Sequence, residues 1–564
     1  MHIFSRTFAL LVAAALALTA EAARPHLRAD SVKIDPPLDI DLLLSGNFGE
    51  LRRNHFHSGV DFKTQGRTGL PVYAVDSGYV SRVSVSPWGF GRAVYVTHPH
   101  LGLTTVYGHL EAFAPQIAAP VCQRQYEAET FAIDINFKPG EIPVKRHQMI
   151  ARSGNSGSSG GPHLHFDVRD TETEDPLDPL EYLRGRIVDR TPPEVRLLAL
   201  YPADAATIDG SPDTPAYRQP QSAKQFTAWG AVVPGIKAYD RMNGTTNIYG
   251  VKYLSLLLDG DTIYSRVIDR FSFDNTKAVN TLVDFRDLNT SGSWVMTTAV
   301  PDARPLGNMV KAKNKGVVNI KEEKTYRFTW VLEDEHGNVT RQPFIVEGRR
   351  QVPPSRKASG QLALWDADNL VEHDGAYIEI PDGALYQNQF IDVEAKPSSV
   401  YHTALYTIGS PHIPLAQPID ITLPIAADTV TDKTKYCLVR LDPGNKRTAV
   451  KARYADGCVN AKPDRFGTYA LTTDTVAPKI VPLNPANWKA RKTVSFKITD
   501  NLSGIESWRG EIDGRWALFE LDGKTATLSF RMDPERFPGS RHTISLTVTD
   551  ACGNTARHTQ TWTN

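Results

Sequence analysis

Five polar residues spread over little more than a hundred positions could carry chemistry in this chain. They are His57 and Asp61 in His57-Ser58-Gly59-Val60-Asp61, His109 in Tyr107-Gly108-His109-Leu110, and His163 and His165 in Pro162-His163-Leu164-His165-Phe166. Two histidines and one carboxylate give a tetrahedral zinc three ligands and leave one position for water, the arrangement of a hydrolytic rather than a structural zinc. Residue type alone is a weak guide, because the chain has 16 histidines and a solitary His-x-His or His-x-x-x-Asp pair is usually polar surface. The surroundings are more selective. His163 and His165 alternate with Leu164, Phe166 and Val168, which predicts a strand with both rings on one face. His57 and Asp61 are four apart, a spacing that also returns two side chains to one side. Before the His-Leu-His strand runs Ser153-Gly154-Asn155-Ser156-Gly157-Ser158-Ser159-Gly160-Gly161-Pro162, whose glycines permit the close backbone approach of a loop wrapped around a site.

In this order the motifs resemble those of the lysostaphin-type, or LytM-like, zinc endopeptidases, which cut peptide bonds in bacterial peptidoglycan. Gly69-Leu70-Pro71-Val72-Tyr73-Ala74, Ser77-Gly78-Tyr79-Val80 and the run from Gly89 to His98 extend the likeness over about residues 46–185. The resemblance implies a β catalytic domain in which His57, Asp61 and His165 bind Zn2+, while His163 acts as general base. It implies that His109 steadies the substrate carbonyl or oxyanion and helps protonate the leaving amine. Asp167, two positions after His165 on the same strand face, is placed either to orient that imidazole or to be a solvated strand residue. Two departures stand out. His147 occupies a position where the family carries glycine, so a differently built turn is expected there. The segment from Phe113 to Pro143 is long for the corresponding connection, so an enlarged loop beside the groove is expected. His55, His98 and His100 read as structural or surface residues. Trp88, Phe90 and Tyr107 are candidates to line the groove, with core packing the better reading for Tyr107.

Around this unit the composition is that of an ordinary globular protein: 564 residues, 41% hydrophobic and 9% aromatic, enough for several domains with their own cores. Formal net charge is zero, which argues against nucleic acid as partner and is compatible with the peptidoglycan substrate that the resemblance implies. Arg6, the apolar run Phe8 to Leu18 and Ala20-Glu21-Ala22 read as a signal peptide over 1–22; the run is too short to span a bilayer as a retained anchor. The expectation is an exported protein, periplasmic, cell-surface or secreted. Cys437 and Cys458 lie 21 apart in one β-rich stretch and could staple neighbouring strands, whereas Cys122 and Cys552 are solitary.

Beyond residue 188, β-branched and aromatic runs alternate with Gly, Asn, Asp and Pro turns, and an internal repeat emerges. Asp189-x-x-x-Pro193-x-Val195 matches Asp474-x-x-x-Pro478-x-Ile480. Asp240-x-x-x-Gly244 matches Asp500-x-x-x-Gly504, Asp259-Gly260 matches Asp513-Gly514, and Asp334-x-x-Gly337-Asn338 matches Asp550-x-x-Gly553-Asn554. The expected organisation is mainly β: an arm over 23–45, the catalytic domain over 46–188, an immunoglobulin-like sandwich over 189–350, a third β-sandwich over 358–473 and a second immunoglobulin-like unit over 474–564. The repeated Asp and Gly read as turn formers, with calcium binding by the aspartates as the alternative, and wall or partner contact is the expected role of these domains. Trp508 and Trp516 read as core residues, with a carbohydrate platform as the alternative. Two rival functions are a LytM-like regulator without catalysis, for which loss of a ligand would be the mark, and an endopeptidase acting on glycine-rich proteins.

Overall fold

The computed structural model describes residues 32–563 apart from 184, 353–358 and 427. The signal-peptide segment 1–22, the start of the arm and most of the linker before residue 360 lie outside the described residues.

Strands dominate throughout. The catalytic region is built on an antiparallel sheet in the order Leu44–Gly46, Val60–Lys63, His163–Asp170, Leu103–Gly108, Arg92–His98, Gly78–Val85 and Ile133–Asn136. The alternation read from the sequence explains the central strand. Leu164, Phe166 and Val168 are fully buried against Val60, Phe62 and Tyr107, which leaves His163, His165, Asp167 and Arg169 in a row on the opposite face. Burying each such apolar side chain is worth roughly 1.5–3 kcal/mol, so the core face fixes which face the histidines occupy. Register then places His165 directly opposite Asp61 on one neighbour and Gly108 on the other. A one-residue slip would send Asp61 into the core.

The stretch from Phe113 to Pro143 is ordered rather than an enlarged loop. It forms a helix, Pro115–Glu127, and the strand Ile133–Asn136, which closes one edge of the sheet against Gly78–Val85. Pro at the first helical position suits the helix start, and Ile117 and Val121 bury its inner face.

The first repeat unit is a large mixed sheet built around the long strands Glu194–Ile208 and Phe226–Tyr239, with Trp330, Phe328 and Tyr264 in its core. The unit after residue 360 has two five-stranded sheets that share one core, Ile378 and Ile421 from one facing Leu438 and Tyr469 from the other. The last unit has two four-stranded sheets around Phe496, Ile498, Ile544 and Leu546.

The four sequence matches fall at equivalent structural points. Asp189 and Asp474 each lie five residues before a strand whose first residue pairs with the one before Asp240 or Asp500, respectively. Asp334 and Asp550 both close a hairpin by an N–H donated to the carbonyl of Asn338 or Asn554. Asp259 and Asp513 both turn with positive φ, 49° and 51°, and both accept from a strand amide, Arg327 or Thr543.

The cysteines do not form the expected pair. All four are free thiols; Cys437 and Cys458 lie in different sheets, and the neighbour of Cys437 is Cys552, packed with Val439 across the junction with the last unit. Sequence separation said nothing of this, because strand order placed positions 437 and 458 in opposite layers.

Candidate metal centre

His57, Asp61 and His165 meet in the interior, each less than a tenth exposed, on residues brought from the loop before one strand, from that strand and from its neighbour. His57 Nε2 is 3.0 Å from Asp61 Oδ1 and 3.0 Å from His165 Nδ1, and His165 Nδ1 is 2.9 Å from Asp61 Oδ1.

The outer hydrogen bonds fix the tautomers. His57 Nδ1 donates to the Asn47 carbonyl at 2.7 Å, because a carbonyl can only accept, and this leaves the Nε2 lone pair facing inward. His165 Nε2 donates to Asp167 Oδ1 at 2.6 Å, leaving Nδ1 as its inward lone pair. Arg52 Nη2 donates to Asp61 Oδ2 at 2.8 Å, so Oδ1 is the oxygen that faces the imidazoles. Two nitrogen lone pairs and a carboxylate oxygen thus converge within hydrogen-bond distance with no proton of their own to share. Only a proton or a cation can occupy that point, and the donor set of two imidazoles and one carboxylate fits zinc. These three residues form a group that could hold a metal ion.

The charges respond accordingly. Burial pushes His57 below the usual histidine range. Burial also opposes charge on His165, but Asp167 and Asp61 outweigh it and lift the ring to about 9. Burial would raise Asp61, yet the imidazoles of His57, His163 and His165 around it hold it well below the usual carboxylate range. Asp167, as its strand position implied, sits behind His165 and is itself held by Arg169 at 2.6 and 3.0 Å and by Ser58 at 3.0 Å.

His109 and His163 stand beside the group. Their ring centroids are 4.8 Å apart, and His163 Nε2 lies 3.4 Å from Asp61 Oδ1. His109 Nδ1 donates to Ser156 O at 2.8 Å and His163 Nδ1 to Gly161 O at 2.8 Å, so the glycine-rich loop holds both rings with Nε2 toward the site. Burial, with His165 and His163 nearby, pushes His109 down to about 3. His109 adopts φ 57°, a left-handed conformation costly for a side-chain-bearing residue, and its amide donates to Phe90 O at 2.8 Å. Gly157, at φ 68°, allows the loop to close on Gly91; a Cβ there would come within 2.3 Å of the Gly91 nitrogen.

Phe90 stacks on His165 with centroids 4.7 Å apart and forms a wall of the site. Trp88 is half exposed, its ring beside Gly523, and Tyr107 is fully buried, its hydroxyl accepting from Val75 N, so it belongs to the core. His98 is buried and structural, and His55 is exposed. His147 lies away from the site, stacked on Tyr73, and itself takes the left-handed turn at φ 59°, so the turn keeps a glycine-like backbone although the residue differs. Asn47, Arg52 and Arg169 escaped the sequence reading. Arg169 continues the polar face of the His-Leu-His strand and was in principle legible; Asn47 acts through its carbonyl, which no residue type reveals.

Comparison with known proteins agrees with this site. An uncharacterized metalloprotease of Haemophilus influenzae is 32% identical over 137 residues, 23% of this chain and 23% of that protein. The peptidoglycan DD-endopeptidase ShyB of Vibrio cholerae is 33% identical over 112 residues, 20% of each. The chain thus matches about a quarter or less of the length of these curated relatives. The catalytic domain of lysostaphin from Staphylococcus simulans is 23% identical, with 26% of this chain and 93% of that one covered and a TM-score of 0.20. The Zu5-like domain family matches residues 360–474. The region that holds the buried His-Asp-His group is thus similar to metallopeptidases, and the Zu5-like match lies beyond it.

Proposed function

We propose that this protein is an exported zinc-dependent endopeptidase that hydrolyses peptide bonds in the stem peptides or cross-bridges of peptidoglycan. The observation that carries the reading is the convergence of His57 Nε2, His165 Nδ1 and Asp61 Oδ1, whose tautomers are set from behind so that three lone pairs meet at one point. The relative whose name specifies peptidoglycan supplies the substrate class.

When bound, zinc supplies Lewis acidity toward a peptide carbonyl and toward water. The chain's own residues do the rest. His57, Asp61 and His165 hold the ion, and Asn47, Arg52 and Asp167 hold them. His163 presents an Nε2 lone pair and takes the proton of the attacking water. His109, whose Nδ1 is committed to Ser156, hydrogen-bonds an oxyanion or protonates a leaving amine only after gaining a proton at Nε2. Phe90 limits the water that reaches His165. Among the described residues no helix is long and apolar enough to cross a membrane. Export follows from the substrate, which lies outside the membrane, and from the N-terminal leader read in the sequence.

The test uses the zinc-loaded full chain on purified peptidoglycan, with new amines counted and released fragments identified by mass spectrometry. Cleavage by the wild type, and cleavage roughly 10²- to 10⁴-fold slower by His163→Ala, is expected. Identical fragment profiles from both proteins on every peptidoglycan chemotype would overturn the reading.

A further inference from the structure

The two repeat units share a feature that turn formation does not explain. In the first, Asp189, Asp240 and Asp334 are all at least nine-tenths buried, with Asp189 beside Asp334 and Asp240 lining one cavity with Asp334. In the second, Asp474, Asp500 and Asp550 bring carboxylate oxygens within 4.8 Å of one another, as Asp189 and Asp334 do beside His336. Among the described residues no lysine or arginine forms an ion pair with any of these six. The backbone and side-chain amides of the loops satisfy only part of each cluster. Asp189 Oδ1 accepts from the amides of Arg190, Thr191 and Asn243, and Asp334 accepts from His336, Asn338 and the Asn338 side chain. Asp189 Oδ2 and Asp240 Oδ1 are buried with no partner, and so is Asp500 Oδ1 in the second unit. Burial, Asp334 and Asp189 together push Asp240 up to about 8, the response of a carboxyl with negative charge beside it and no counterion. Asp240, Asp334 and His336 also line a cavity of about 20 Å³, the size of a single water or ion.

A third acidic group, Asp178, Glu181 and Glu335, shows the alternative solution. There the buried Lys252 ammonium donates to all three carboxylates, at 2.9 Å to Asp178 and 2.9 Å to Glu181. Lys252 reaches the same cavity but is committed to those partners and makes no bond to Asp240 or Asp334. The device in the two repeats is the same down to single bonds. Asn338 Nδ2 donates to both Asp334 Oδ2 and the Asp189 carbonyl, and Asn554 Nδ2 donates to both Asp550 Oδ2 and the Asp474 carbonyl.

We propose that each repeat binds one calcium ion, through Asp189, Asp240 and Asp334 in the first and Asp474, Asp500 and Asp550 in the second. Three carboxylates supplemented by loop carbonyls and water suit a hard cation that accepts six to eight oxygens in flexible geometry. Asp189 follows the catalytic region and Asp474 is the last residue of the Zu5-like match, so each ion would tie the incoming chain to a hairpin of the unit it enters and stiffen that junction.

Calorimetric titration of the full chain with calcium chloride, after exchange through EGTA, tests this, with zinc content recorded in parallel. Two calcium ions per chain are expected, with a rise in thermal midpoint of about 5 °C or more at saturation. Asp240→Asn and Asp500→Asn should each lower the stoichiometry to one, with zinc content unchanged. Should either variant fail to fold, calcium-dependent protection of the two junctions from proteolysis in the wild type serves as the second measurement. Fewer than two ions in the wild type, unchanged stoichiometry in folded variants, or no protection of the junctions would overturn the proposal.

Discussion

At the residue scale the proposed site depends on groups behind the ligands as much as on the ligands. Asn47 is an instance: its side chain is clamped at both ends by the Gly250 backbone of the first repeat, at 2.8 and 2.9 Å, while its carbonyl orients His57. Asn47→Ala keeps that carbonyl but removes its clamp, and should therefore weaken zinc binding by roughly 10-fold, with His57 itself intact. Competition against a chromophoric chelator reads this directly. His163→Ala separates binding from chemistry. It should keep its zinc and lose roughly 10²- to 10⁴-fold in rate, whereas His57→Ala should lose both; metal analysis beside a cleavage assay distinguishes the two.

At the scale of elements, the strand Arg92–His98 ends in a histidine that serves the core. His98 donates through Nδ1 to the Ser77 carbonyl at 2.9 Å and accepts at Nε2 from Thr105 Oγ1 at 2.9 Å, and burial lowers its pKa below the usual 6.5. The unfolded chain then binds more protons than the folded one below that value, so His98 stabilises the fold above about pH 6.5 and its contribution falls away as the pH drops. The thermal midpoint should decline on acidification from pH 7.5 to 5, with a shallower slope in His98→Gln. This histidine shows the limit of reading residue types. His98, His109 and His163 look alike in the sequence, and only strand pairing sends the first into the core and the other two to the polar face. The His-Leu-His strand was legible because its period-2 pattern is local, whereas the helix Pro115–Glu127 was missed because its apolar positions are few and Pro120 interrupts them.

At the scale of the molecule, the last unit leans on the catalytic region. Trp516 meets Tyr126 edge-on at 5.0 Å, Trp508 meets Phe131 at 6.4 Å, Arg536 lies 3.9 Å over Tyr126, and Arg92 pairs with Glu520 at 2.6 Å. Trp508 thus contributes to a contact between units as well as to the core beside it, whereas Trp516 packs at the contact and outside that core. Trp516→Ala should speed hydrogen exchange in the helix Pro115–Glu127 while leaving the central sheet protected. At the other junction, oxidised glutathione should join Cys437 to Cys552 rather than to Cys458, with two glutathione thiols released per disulfide formed. The reaction should be slow, since burial pushes the Cys437 thiol up to about 12, and peptide mapping under non-reducing conditions identifies the pair.

The sequence by itself determined the donor types, the strand that carries two of them and the repeat of aspartates, because each rests on local spacing and on alternation between core and solvent. Tertiary structure alone decided which nitrogen of each imidazole faces inward, which cysteines are neighbours, and that six aspartates gather into two clusters. Those outcomes depend on strand order and on backbone carbonyls and amides from distant segments, whose positions are set by the packing of the whole chain and leave no mark in any short stretch of it.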